Sequence, residues 1–187
     1  MHVSFLFEYL KYPKTVGAVA PSSKKLAKKM TEPIDFSNCN CIIEYGAGTG
    51  VFTRELIEKK NKRTKLMVIE KNKYFYDRLQ KEFGKQEEVY IIHGDAQRVE
   101  EYLRKHKISS AEYIVSGLPF ASLPQNISKE ILAAANRILG ENGKFITFQY
   151  TLFKKKFFQK WFHIENMKLV FRNFPSAFVF TMKPKEL

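Results

Sequence analysis

Apolar positions along the chain fall into two alternating patterns, continuous runs and helically spaced segments. Five runs rich in β-branched and aromatic residues, at 41–45, 65–70, 89–94, 113–117 and 144–150, read as buried strands. Between them the spacing becomes helical, as in Phe52, Leu56 and Ile57, or Ile127, Ile131, Leu132, Ala135 and Leu139. Gly140 and the Glu141-Asn142-Gly143 turn are expected to close the second of these helices before the fifth strand. Two more β-like runs, at 169–174 and 177–182, are joined by Pro175-Ser176. So short a link forbids a parallel crossover and predicts an antiparallel pair at one edge. Strand and helix alternating in this way predict a doubly wound α/β fold, a seven-stranded and mostly parallel sheet covered on both faces.

At 187 residues and 44% hydrophobic composition the chain can bury one sizeable core, so residues 1–187 are expected to form a single domain. Its apolar runs fall short of a membrane span, and the N-terminus lacks a basic leader with a small-residue cleavage site, which predicts a cytoplasmic protein. Cys39 and Cys41 are one residue apart and point to opposite faces of a strand. They predict neither a mutual disulfide nor a metal site. The formal charge of +13 alters the picture more, because it predicts attraction to a polyanion, either nucleic acid or an anionic membrane.

The candidate chemistry begins after the first strand, in Glu44-Tyr45-Gly46-Ala47-Gly48-Thr49-Gly50. A dinucleotide fingerprint spaces its glycines GxGxxG, whereas here the third glycine comes one residue early. Glycines at a strand-to-helix junction let a ligand approach the backbone, and free N–H groups there can meet a carboxylate. Glu70 ends the second strand, where an acidic side chain can accept from ribose hydroxyls, and Asp95 ends the third. Three successive carboxyl ends are where open α/β sheets bind ligands. The GxGxG loop resembles motif I of class I S-adenosylmethionine-dependent methyltransferases, a Rossmann-like fold. That resemblance implies S-adenosylmethionine as cofactor, held by Glu44, Gly46, Gly48, Gly50, Glu70 and Asp95.

After the fourth strand comes Ser116-Gly117-Leu118-Pro119-Phe120. Amino-directed methyltransferases commonly carry Asn or Asp, any residue, Pro and an aromatic there, and this chain departs by offering Ser116. Adenine N6 is a poor nucleophile that needs a polar grip, whereas an aliphatic amine needs none once deprotonated. Ser116 and Phe120 are the residues expected to face the acceptor nitrogen.

Residues 3–12 place Ser4, Glu8 and Lys11 on one narrow helical face and apolar or aromatic residues elsewhere. Such a helix suits a membrane interface or packing against protein, and residues 1–30 are expected to form an amphipathic helix and lid segment. A second aromatic-basic cluster over 153–162 is expected to meet a membrane or to stack bases. Phe5-Leu6, Tyr12-Pro13, Val16 through Ser23, the SGLPFASLP stretch and Arg172 through Ala177 together resemble bacterial phospholipid N-methyltransferases. Ribosomal RNA adenine dimethyltransferases are the nearest neighbours in pattern. The resemblance implies methylation of phosphatidylethanolamine at an anionic membrane surface by a peripherally associated enzyme, with Ser22 over the cofactor or capping a helix. RNA stays open as the alternative acceptor, and no protein partner is evident.

Overall fold

The structure, a computed structural model, describes residues 21–152, 154–171 and 176–186. The expected helix over 3–12, the Val16–Ala20 stretch and residues 172–175 lie outside the described residues.

Seven strands form one sheet in the order β3-β2-β1-β4-β5-β7-β6. They are β1 Cys41–Tyr45, β2 Lys65–Glu70, β3 Val89–His93, β4 Ala111–Ser116, β5 Leu139–Gln149, β6 Phe162–Val170 and β7 Ala177–Pro184. The first five are mutually parallel, and β7 runs antiparallel between β5 and β6. This is the Rossmann-like, doubly wound sheet with an antiparallel C-terminal pair. The helices are α1 Pro21–Thr31, α2 Val51–Lys59, α3 Lys73–Phe83, α4 Val99–Lys105, α5 Gln125–Ile138 and the single turn α6 Lys155–Phe158.

Alternate side chains of each strand feed opposite faces. Ile43, Met67, Ile114 and Phe145 pack with Leu103 of α4 and Leu132 of α5. On the other face Ile42, Val68, Val115 and Ile146 pack with Met30, Leu56 and Leu79 of α1, α2 and α3. Cys39 and Cys41 are buried free thiols, and burial first and Glu112 second push both to about 12.

Two strand boundaries and one cluster differ from the sequence reading. Leu139 already pairs with Ala111 and Lys144 with Tyr113, so five steps on β5 oppose two on β4. The excess is absorbed at 140–143, inside the strand rather than in a turn before it. β6 begins at Phe162 instead of 169, a start hidden because this edge strand is largely exposed and a bulge between Ile164 and Asn166 breaks its alternation. Three aromatics of the 153–162 cluster also face the core rather than a binding surface. Phe157, Phe158 and Phe162 are buried in the core, Phe162 stacking on Phe145 at 5.1 Å.

Candidate active site

The carboxyl ends of β1, β2, β3 and β4 open onto a cleft of about 580 Å³, within the usual range for small-ligand sites. Gly46, Glu70, Asp95 and Gly117 all line it. Glu70, Lys71, Asn72, Asp95 and Gln97 supply its polar groups, and Leu118, Leu123, Ile127 and Ile131 its apolar wall. Such a surface matches an amphiphilic ligand with a polar rim and a flat apolar face.

The glycine loop is shaped from both sides. All three glycines have positive φ. At Gly48 (φ +54°) an added Cβ would meet nothing within 4 Å, so the loop leaves open room there. At Gly50 (φ +80°) a Cβ would come within 2.9 Å of both Leu79 and Phe83, so this glycine admits α3 against the loop. Glu70 ties the loop to β2: its Oε2 accepts from Gly48 N–H at 2.8 Å and its Oε1 from Asn72 N–H at 2.7 Å. Asn72 in turn caps α3, its Oδ1 accepting from the N–H groups of Tyr74 and Phe75.

Glu44 stands behind the loop and does not line the cleft. Its side chain is fully buried, Oε2 accepting from Thr53 Oγ1 at 2.8 Å and Oε1 having no partner. Burial chiefly, and the charge of nearby Glu70 in addition, lift its pKa to about 8 against the lowering effect of Thr53. Burial likewise raises Glu70, although the Gly48 and Asn72 hydrogen bonds oppose it. The carboxylates of Glu70 and Asp95 at the rim of the cleft and the apolar wall beside them fit the ribose hydroxyls and the flat base of a nucleoside such as that of S-adenosylmethionine.

Asp95 reaches the cleft half-exposed and pairs with the exposed Lys71 at 2.7 Å. Ser22 falls in the first turn of α1, which begins at Pro21, rather than before it, and its side chain lies outside what is described. The acceptor-side expectations need the larger correction. Phe120 is fully buried, with its ring edge-on to Phe158 at 5.3 Å and to Phe145 at 6.2 Å, so it is a core residue. Ser116 is also fully buried, its Oγ accepting from Leu118 N–H at 3.3 Å and its carbonyl from Thr147 Oγ1 at 3.2 Å. Counting back two residues from Pro119, moreover, the position given to Asn or Asp in amino-directed enzymes belongs to Gly117. A Cβ there would lie 2.6 Å from the carbonyl oxygen of Gly46, so no side chain fits this backbone.

Sequence reasoning missed Asn72, Gln97 and the Leu118–Ile131 wall. Asn72 had a signal, an N-cap residue two positions past Glu70, but Ile127 and Ile131 look in sequence like any buried helix face.

A sequence profile described as Ribosomal RNA adenine dimethylase matches residues 21–171. An ornithine lipid N-methyltransferase of Singulisphaera acidiphila is 26% identical over 180 residues, covering 92% of this chain and 91% of that protein. TrmN from Thermus thermophilus superposes with a TM-score of 0.71 at 10% identity over 95% of this chain, which spans only 53% of TrmN. Fibrillarin of Aeropyrum pernix, solved with natively bound S-adenosyl-L-methionine, gives 0.67 at 12% identity, over 86% of this chain and 76% of its own.

Proposed function

The chain belongs to the ribosomal RNA adenine dimethylase family and is an S-adenosylmethionine-dependent methyltransferase; we propose that its acceptor is the primary amine of a lipid headgroup at an anionic membrane surface. When bound, the cofactor supplies a methyl group already activated on a sulfonium sulfur. What remains for the protein is to hold that cofactor, to align an amine and to exclude water. Glu70, clamping Gly48, and Asp95 at the rim would hold the nucleoside; Glu44 would fix the loop from behind through Thr53.

Gly117 carries the choice of acceptor. Adenine N6 donates its lone pair into the ring and reacts only when a polar side chain grips its hydrogens. In this chain the gripping position is a glycine pressed against the Gly46 carbonyl, 2.6 Å from where a Cβ would sit. An aliphatic amine needs no such grip. The ornithine lipid N-methyltransferase of S. acidiphila, matched over 91% of its length, acts by its name on such a lipid amine.

The membrane half of the proposal is supported at the far edge of the sheet. β6 runs parallel to β5, both being antiparallel to β7, so Phe171 leaves β6 at the edge where the cleft opens. Phe171 is 78% exposed and, with Leu169, borders a groove lined by Lys25, Lys28, Lys29 and Lys59. Exposed apolar side chains among lysines suit an anionic bilayer. Among the described residues, no helix is long and apolar enough to cross a membrane.

The second reading, an adenine of ribosomal RNA, is favoured by the family description and by the charge of +13. An acceptor screen with labelled donor separates the two. Label is expected in phosphatidylethanolamine or ornithine lipid vesicles, and transfer to protein-free ribosomal RNA alone would overturn the lipid reading.

A further inference from the structure

A second, much smaller cavity lies across the Leu118–Pro119 segment from the main cleft and shares those two residues with it. Its volume is about 20 Å³, enough for a single oxygen atom or one water. Gln149, at the end of β5, reaches into it. Gln149 is only 4% exposed, and its Nε2 has no hydrogen-bond partner. Ser122, on the loop opposite, lines the same notch with its Oγ also unpartnered. The remaining lining is chiefly apolar, including Phe148 and Ala121.

A buried amide N–H without an acceptor costs the full desolvation of the group, so leaving it unpaired is unfavourable unless something else fills the site. Gln149 shares a sheet face with Thr147 and Phe145, two and four residues earlier on β5. That alternation puts Gln149 on the sheet face covered by α5, whose Ile127 and Ile131 wall the cleft. We infer that the notch is a headgroup subsite in which Gln149 Nε2 and Ser122 Oγ donate to an oxygen of the acceptor, while its amine lies in the cleft beyond Pro119. The ligand class is an aliphatic amine with a phosphate, carboxylate or ester oxygen a few bonds from the nitrogen. Gln149 and Ser122 are then positioning residues that select amines bearing such an oxygen, and the inference rests on the lipid-amine reading above.

The test compares two acceptors in anionic vesicles of phosphatidylcholine with a fixed excess of phosphatidylglycerol: phosphatidylethanolamine, which carries the oxygen, and dodecylamine, which does not. Gln149→Leu is expected to lower the ratio of kcat/KM for phosphatidylethanolamine over dodecylamine by tenfold or more, through KM, with an unchanged cofactor Kd. Ser122→Ala, which removes only a hydroxyl, is expected to lower the same ratio severalfold and guards against a folding defect in the first variant. Equal losses on both acceptors, or none, would mean that the notch holds only a structural water and would overturn the inference while leaving the lipid reading intact. Wild-type transfer to neither amine would overturn both.

Discussion

The Glu70 carboxylate accepts the backbone N–H of Gly48 at 2.8 Å, joining the end of β2 to a loop 22 residues earlier in the chain. The bond is buried and charge-assisted, and it sets the height of the loop floor. In Glu70→Gln an amide of the same shape replaces the carboxylate, and its –NH₂ would face one of the two N–H donors. Cofactor affinity is expected to fall tenfold to a hundredfold, from about 1 to 3 kcal/mol for an unsatisfied buried group. Titration calorimetry measures this; unchanged affinity would remove Glu70 from the site.

Gly48 and Gly50 separate binding from folding. Gly48→Ala adds a methyl with nothing within 4 Å, so its stability cost is the left-handed backbone alone, about 1–2 kcal/mol. Cofactor affinity is expected to fall further, because the methyl fills the open room over the loop. Gly50→Ala pays the same backbone strain and also drives a Cβ to 2.9 Å from Leu79 and Phe83. About 1–3 kcal/mol of overpacking is expected on top. Thermal melts of both variants, with and without cofactor, test the ordering, and equal melting temperatures would contradict it.

Much of this arrangement was legible in the sequence because it is local. Continuous runs of β-branched and aromatic residues gave the five parallel strands, and the GxGxG spacing with Glu70 and Asp95 marked one end of the sheet. The acceptor side was not legible. Whether Phe120 points outward or inward is decided by Phe145 and Phe158, which lie 25 and 38 residues further on. Gln149 reads in sequence as one more strand residue; only the apposition of β5 with the Leu118–Ser122 loop leaves its amide unpaired. The start of the edge strand β6 escaped for a different reason, since the bulge between Ile164 and Asn166 breaks the alternation of its apolar residues.

Glu44 predicts a pH dependence whose sign follows from its burial. Its carboxyl titrates at about 8 when folded against an ordinary value of 4.5. Between those values the folded chain keeps a proton that the unfolded chain releases, so stability falls as pH rises through that window, by at most about 1.4 kcal/mol per pH unit. Glu44→Gln removes the titration, and its melting temperature is expected to decline less between pH 5 and pH 8 than that of the wild type. Parallel curves would show that Glu44 ionises freely.

Phe171 and the lysines of α1 predict how the protein meets its acceptor. Leu26, Ala27 and Met30 turn into the core, which leaves Lys24, Lys25, Lys28 and Lys29 on the exposed face of α1. Pairing with Glu32 occupies Lys29, and Lys168 also reaches Glu32, so Lys25 and Lys28 are the better probes of surface charge. Burying a phenylalanine contributes about 1.5–3 kcal/mol, and each lysine near an anionic surface about 1 kcal/mol. Phe171→Ser is therefore expected to weaken binding to anionic vesicles about tenfold or more at any salt concentration. The double variant Lys25→Gln, Lys28→Gln is expected to weaken it by a similar factor, but only at low ionic strength, because screening already removes that contribution at high salt. None of these three side chains lines the cleft, so cofactor affinity in solution is the internal control. Vesicle sedimentation across a salt series measures both effects, and wild-type partitioning in both variants would place the membrane contact elsewhere on the chain.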